Sequence, residues 1–122
     1  MTDEQIEQAL ERDLTIDITT VGRKTGAPRR KEIWFHNLAG RLFITGLPGR
    51  RDWYANLVAN PNFIFHLKES VQADLPAKAR PITAEAERRE IIARVHQKLD
   101  GDRDLEAWVR DSPLVEVTLD LG

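Results

Sequence analysis

The chain has 122 residues, of which 18 are Lys or Arg, 20 are Asp or Glu and 41% are hydrophobic, with a formal net charge of −2. It contains no cysteine, which excludes disulfides, thiolate catalysis and cysteine-based metal sites. No apolar run approaches the roughly 20 residues of a membrane span, and the start at Asp3 and Glu4 is acidic, unlike a signal peptide; we therefore expect one cytoplasmic domain over residues 1–122 with no membrane partner.

The hydrophobic pattern predicts a strand-rich domain with three or four helices. A helix at 2–12, with Thr2 as its cap, precedes strands near 14–20 and 30–38, and a tight turn at 37–40 leads into a strand at 41–46. A helix at 52–59 ends before Pro61. The remaining predicted elements are strands at 62–69 and 71–83, a long helix from Thr83, a short helix at 104–110 and a strand at 114–119. Short strands joined by hairpins indicate a mainly β (α+β) fold with a small antiparallel barrel.

The first candidate site is the turn that follows the first strand. Gly22, Gly26 and Pro28 punctuate it, and five cations lie on it and on the start of the next strand: Arg23, Lys24, Arg29, Arg30 and Lys31. Glycines allow a partner to approach the backbone, and clustered Arg and Lys donate to phosphate or carboxylate. The segment predicts an anion-bearing small-molecule ligand, although a charge cluster of this kind is also compatible with a solvated hairpin tip.

The second candidate site is the segment 46–61. On its helix, one stripe carries an indole, a leucine and two carboxamides: Trp53, Asn56, Leu57 and Asn60. An apolar wall with a few directed polar groups suits a flat heteroaromatic ligand. The preceding loop 46–49 offers backbone N–H groups at a helix start, with Arg50 and Arg51 beside it. Trp53 and Leu57 are equally compatible with a core role, and Asn60 with a cap before Pro61.

Other chemistries have weak support in the sequence. His36, His66 and His96 lack the spacing of metal ligands, so we expect no metal. A slightly acidic chain, with a pI near 5.9, argues against nucleic-acid binding. Trp34 and Phe35 are adjacent on a strand and point to opposite faces, so we expect one in the core and the other free to face a pocket.

The two candidate segments together closely resemble the deazaflavin-dependent nitroreductase family, a branch of the split-barrel flavin-binding superfamily. Its signature is similar to the run from Thr19 to Arg29, followed after a hairpin by a glycine loop and the run from Trp53 to Pro61. The resemblance covers residues 15–68. It implies a six-stranded antiparallel split β-barrel with short flanking helices, which binds the deazaflavin coenzyme F-420.

The resemblance also implies roles for particular residues. Arg23, Lys24 and Arg29 would hold the phosphate and acidic tail of the coenzyme, with Thr25, Lys31 and Arg50 beside them. The loop Gly46, Leu47, Pro48 and Gly49 would line the tricyclic ring, and Trp53, Asn56, Leu57 and Asn60 would form the pocket wall or hold the loop in place. Tyr54 is the candidate proton source or substrate contact.

The implied activity is hydride transfer from the reduced coenzyme to a small organic acceptor: a quinone, a nitro compound or an activated alkene. The alternative is a split barrel that binds FMN, haem or another tetrapyrrole without deazaflavin chemistry. The resemblance to split barrels also implies a dimer with cofactor sites near the subunit boundary, and we therefore expect a homodimer.

Overall fold

A computed structural model of the protein describes residues 2–99 and 101–121. Seven strands and four helices lie along these residues. The strands are β1 (Thr15–Val21), β2 (Pro28–Trp34), β3 (His36–Leu38), β4 (Arg41–Thr45), β5 (Asn62–Leu67), β6 (Ala73–Pro81) and β7 (Leu114–Leu119). The helices are α1 (Asp3–Arg12), α2 (Asp52–Ala59), α3 (Glu85–Lys98) and α4 (Leu105–Asp111).

All strands belong to one antiparallel sheet that curls into a split barrel. Its strand order is β2-β1-β5-β6-β7-β4-β3, so β2 and β3 lie at opposite edges. Phe35 alone separates these two strands in the chain, and the edges can be that close only if the sheet curls. The antiparallel split-barrel prediction is confirmed, but with seven strands instead of six. The strand predicted at 30–38 is interrupted at Phe35, because β2 ends at Trp34 and β3 begins at His36. The Phe35 N–H still donates to the Leu14 carbonyl at 3.0 Å, in the β1–β2 register.

The core has two parts. The larger lies inside the curled sheet, where α1 and α2 contribute Leu10, Trp53 and Leu57, and where Phe35 meets Phe65 edge to face at 5.3 Å. The smaller lies between the sheet and the α3–α4 pair and contains buried Ile92, Val95 and Trp108 among others. Burial of such side chains stabilises the fold by about 1.5–3 kcal/mol each. Phe35 is therefore the core member of the pair that the sequence analysis considered, and Trp34 is half exposed.

Most local predictions are confirmed. Thr2 and Gln5 form a reciprocal capping box at the start of α1. In the β3–β4 turn, Ala39 and Gly40 have positive φ, as a two-residue hairpin requires. The long helix predicted from Thr83 begins instead at Glu85, with Ala84 as its N-cap and no side-chain cap, and the Glu87 carboxylate binds Arg80. Within the described residues, none of the helices has the length and apolarity needed to span a bilayer.

Candidate functional site

The basic turn joins β1 to β2 and is closed by its own backbone. Gly22 N–H donates to the Ala27 carbonyl at 2.8 Å, and Gly26 N–H donates to the Gly22 carbonyl at 2.7 Å. Gly26 has a φ of 74°, in the region that favours glycine. A Cβ on Gly22 would lie 3.0 Å from the Ala27 carbonyl oxygen and 3.2 Å from Thr25 Oγ1. The glycines therefore permit a compact turn whose basic side chains point outward from a fixed backbone.

Asn56 of α2 ties this turn to the helix. Its Oδ1 accepts from the Arg23 backbone N–H at 3.1 Å and from Arg23 Nη1 at 3.0 Å. Its Nδ2 donates to Thr20 Oγ1 on β1 at 3.1 Å. The Asn56 side chain is 3% exposed, so these bonds are shielded from water. Asp52, one turn earlier, forms an ion pair with Arg23 at 3.4 Å. The two motifs of the sequence thus converge through direct side-chain contacts.

Between the turn and α2 lies a groove made of two adjoining cavities. One has a volume of about 430 Å³ and the other about 570 Å³, and both are lined by Arg23, Lys31, Asp52 and Trp53. We call their union the cationic groove. Its other lining residues are Ile18, Thr20, Gly22, Lys24, Thr25, Arg29, Arg30 and Asn56 at the turn end, and Arg50, Arg51 and Ala55 at the loop end.

The charge of the groove is strongly one-sided. Seven of its lining residues are Arg or Lys, and Asp52 is the one carboxylate among them. Arg30 is paired with Asp17 at 2.9 Å and Arg23 with Asp52. In the described part of the chain, no carboxylate pairs with Lys24, Arg29, Lys31 or Arg50. A group of unpaired cations in a concave site is suited to a polyanionic ligand.

The loop between β4 and α2 is held at both ends. Gly49, with a φ of 126°, donates its N–H to the Asp111 carbonyl at 3.0 Å. The Arg51 guanidinium donates to the carbonyls of Arg50 at 2.8 Å and Leu47 at 3.2 Å. Arg51 therefore folds back to organise the loop, whereas Arg50 is left facing the groove.

This loop also borders a separate cavity of about 290 Å³, distinct from the two that form the cationic groove. We call it the two-tryptophan cavity; its lining residues are Trp34, His36, Thr45, Gly46, Leu47, Leu99, Arg103 and Trp108. Trp34 and Leu47 are 49% and 65% exposed, so two of the large exposed apolar side chains of the protein face one space. Leu47 and Arg50 are three peptide units apart, so their Cα atoms lie within about 11 Å. The same loop therefore borders both the cavity and the groove.

His36 is the buried titratable group of the two-tryptophan cavity. It is 3% exposed, and burial, with a smaller contribution from the charge of Lys98, lowers its pKa from 6.5 to about 4. The imidazole is consequently neutral at pH 7 and offers one donor and one acceptor nitrogen.

The structure brings together many of the site residues expected from the sequence. Eight line the cationic groove: Arg23, Lys24, Thr25, Arg29, Lys31, Arg50, Trp53 and Asn56. Gly46 and Leu47 line the two-tryptophan cavity instead. Five line neither: Pro48, Gly49, Tyr54, Leu57 and Asn60.

Three of these five have structural contacts that explain their position. Leu57 is fully buried in the core. Tyr54 contacts Trp53, with the rings edge to face and their centroids 6.1 Å apart. Asn60 ends α2 through its backbone N–H, which donates to the Asn56 carbonyl, and its Oδ1 accepts from the Asn62 N–H at 3.1 Å in an Asx turn around Pro61.

Several lining residues were not predicted, and some of them carry no signal that the sequence alone connects with the site. Thr20 lies in the run from Thr19 to Arg29 and Asp52 in the candidate segment 46–61, so their proximity to Arg23 was open to inference. Trp108 and His36 come from distant segments, and no local pattern connects them with Leu47. Among the described residues, no group of three or more acidic or histidine side chains is arranged to hold a metal ion.

A family model and several solved structures are similar to this chain. A family model described as F420H(2)-dependent quinone reductase matches residues 2–119. Similar solved structures include an F420 reductase, with 22% identity, 93% of this chain and 92% of that chain covered, and a TM-score of 0.66. The heme storage protein HutZ from Vibrio cholerae has 16% identity, coverage of 98% and 91%, and a TM-score of 0.72. A FAD-binding protein from Mesorhizobium loti has 12% identity, coverage of 98% and 91%, and a TM-score of 0.68. At these identities, the structural likeness concerns the fold.

Proposed function

The chain belongs to the F420H(2)-dependent quinone reductase family and is a deazaflavin-dependent oxidoreductase whose cofactor is coenzyme F-420; from this premise we propose that it reduces a flat, quinone-type acceptor. In this proposal the cationic groove holds the anionic part of the coenzyme, and the two-tryptophan cavity is where the acceptor binds. The observation that carries the proposal is the concentration of unpaired cations between the basic turn and α2.

The donor set of the groove fits the coenzyme, which combines a phosphate with an acidic tail. Lys24, Arg29, Lys31 and Arg50 would bind these anions, because they have no carboxylate partner in the described part of the chain. Arg23 would contribute a guanidinium already oriented by Asn56 and Asp52. Orientation before binding reduces the ordering cost that a flexible side chain otherwise adds to binding. Trp53, which is 5% exposed, provides a rigid wall.

The two-tryptophan cavity suits a flat, uncharged ring. The indoles of Trp34 and Trp108 and the side chain of Leu47 offer apolar contact, and aromatic stacking adds about 0.5–1.5 kcal/mol to area burial. The neutral His36 can donate one N–H to a carbonyl oxygen of the acceptor. A nitro compound has oxygen acceptors too, but a quinone places two carbonyls in the ring plane, one of which would face His36.

When bound in its reduced form, coenzyme F-420 supplies a hydride. The acceptor gains that hydride together with one proton from water, so that a quinone becomes a hydroquinone. The residues of the chain would bind and orient: the groove cations would fix the anionic part of the coenzyme, and the cavity walls would hold the acceptor ring. His36 supports the carbonyl that accumulates negative charge.

The proposal is tested first by binding and then by turnover. Purified protein is titrated separately with coenzyme F-420, FMN and haem, and a dissociation constant of about 1 µM or less is expected for coenzyme F-420. FMN lacks the acidic tail and should bind at least about tenfold more weakly, because the turn-end cations would have no partner. Tighter binding of FMN or haem would instead support the alternative of a barrel without deazaflavin chemistry.

Turnover is then measured with menadione, a soluble quinone, as acceptor. Trp34→Ala should raise the KM for menadione roughly 3- to 10-fold, the equivalent of one lost aromatic contact. Val58→Ala is the control, since Val58 is 57% exposed and lies on α2 outside both the groove and the cavity. An unchanged KM in the Trp34 variant would refute the proposed acceptor site.

A further inference from the structure

Arg88 is a buried cation on α3 that is bound by backbone carbonyls instead of a carboxylate. It is 9% exposed. Its Nε donates to the Val109 carbonyl at 2.7 Å and its Nη1 to the Ile82 carbonyl at 2.8 Å. Its Nη2 donates to the carbonyls of Ser112 at 2.6 Å and Trp108 at 3.4 Å. Three of the four acceptors lie at the end of α4.

The position of Arg88 is unfavourable for α3 itself. A buried charge is costly unless it is hydrogen-bonded, and a cation in the first turn of a helix opposes the helix dipole. Arg88 stands only three residues after the first residue of α3, Glu85. At the end of α4, however, the free carbonyls of the last turn need donors, and the planar guanidinium supplies several at fixed angles. The contacts of Arg88 are thus explained by α4.

The end of α4 also holds two walls of the two-tryptophan cavity. Trp108 lines the cavity, as does Thr45, whose hydroxyl donates to the Pro113 carbonyl at 2.6 Å just after α4. The carbonyl of Asp111 accepts from Gly49 of the loop that carries Leu47. A shift of this segment would therefore move the Trp108 indole, β4 and the loop together, and Arg88 is the side chain that binds most of its carbonyls.

We propose that Arg88 is a positioning residue for the acceptor: by binding the carbonyls at the end of α4, it fixes the Trp108 wall of the two-tryptophan cavity. The inference rests on the proposed function, because it takes the cavity to be the acceptor site. It assigns no contact between Arg88 and the coenzyme, since Arg88 lies outside the cationic groove.

The test compares Arg88→Lys and Arg88→Gln with Arg89→Lys. Arg89 is the adjacent residue of α3, but its side chain is 42% exposed and forms ion pairs with Glu85 and Glu106. In the Arg88 variants, the KM for menadione should rise roughly 3- to 10-fold, as expected for a displaced aromatic wall. The dissociation constant of coenzyme F-420 should stay within about twofold of the wild type. A general loss of structure would weaken the binding of both ligands. A higher KM for menadione with an unchanged dissociation constant for the coenzyme therefore separates positioning from a merely structural role.

Trp34→Ala is measured in parallel to separate the two proposals. If it raises the KM for menadione while a folded Arg88 variant does not, the positioning role of Arg88 is overturned and the acceptor site remains. If neither variant changes the KM, both proposals are overturned. An Arg88 variant that weakens the binding of the coenzyme as much as that of the acceptor also overturns the positioning role.

A measurement on the wild-type protein covers the case in which the Arg88 variants do not fold. The Arg88 Nε–H, hydrogen-bonded to Val109, gives its own signal in a nitrogen–proton NMR spectrum, as does the Trp108 indole N–H. Menadione should shift both signals and leave the Arg89 Nε–H signal unchanged. A shift of the Trp108 signal with no change at Arg88 would overturn the proposal.

Discussion

Removing the side chain of Asn56 should break the link between the two motifs. In Asn56→Ala, the Arg23 N–H, the Arg23 guanidinium and the Thr20 hydroxyl lose their shared partner, at 3.1, 3.0 and 3.1 Å respectively. A neutral hydrogen bond contributes about 0.5–1.5 kcal/mol and one to a charged group about 1.5–3 kcal/mol. Because the three bonds share one amide, we expect a combined loss of about 2–4 kcal/mol in the free energy of unfolding, which lowers the Tm by roughly 8–16 °C.

The same substitution should weaken the binding of the coenzyme, because Arg23 is no longer oriented toward the groove. We expect its dissociation constant to rise about tenfold, which corresponds to about 1.4 kcal/mol. Thermal melts by circular dichroism measure the first effect and calorimetric titration with coenzyme F-420 below the melting range measures the second. Asn60→Ala is the matched control: Asn60 is an asparagine of the same stripe that bonds Asn62 outside the groove. A folded Asn56→Ala protein with wild-type affinity for the coenzyme would refute the reasoning.

Three further results are expected. Arg29→Ala should weaken coenzyme binding by about 1–3 kcal/mol in a calorimetric titration, as for a lost charge-assisted hydrogen bond. An unchanged affinity would show that Arg29 does not bind the coenzyme. Burial lowers the pKa of His36 from 6.5 to about 4; below pH 6.5 the unfolded chain therefore binds a proton that the folded protein does not, and stability should fall by about 2–3 kcal/mol between pH 6.5 and 4.5. Denaturant titrations at several pH values should show this fall in stability for the wild type, and most of the fall should be absent in His36→Gln. Sedimentation equilibrium should give twice the chain mass of 14.0 kDa if the expected homodimer forms, and a mass equal to one chain would contradict that expectation.

The parts of the fold that depend on local rules were predictable from the sequence. Helix α2 has the predicted bounds because Pro61 stops it, and the β3–β4 turn forms because Ala39 and Gly40 complete a two-residue hairpin. The break at Phe35 was not predictable in this way. It depends on the curl of the whole sheet and on the ring of Phe65, which is 30 residues away in the chain.

The candidate site likewise has a part that local sequence patterns predict and a part that depends on tertiary packing. The basic turn and the α2 stripe are contiguous segments, so their chemistry could be read residue by residue, and their convergence followed from the family resemblance. The two-tryptophan cavity joins Trp34, Leu47 and Trp108 from three distant segments. Only the packing of α4 against the β4–α2 loop brings these side chains together. For the same reason, a periodic pattern marks Leu57 on the stripe but does not reveal that it faces the core.

The cationic groove is proposed as the site where coenzyme F-420 binds, and every other proposed role follows from that placement. Chemical-shift mapping of backbone amides during a titration with the coenzyme tests it directly. The largest shifts should fall in residues 20–31 and 50–56, with smaller shifts at 46 and 47 of the loop that also borders the two-tryptophan cavity. Shifts concentrated elsewhere, for example at the outer ends of α1 and β7, would contradict the claim.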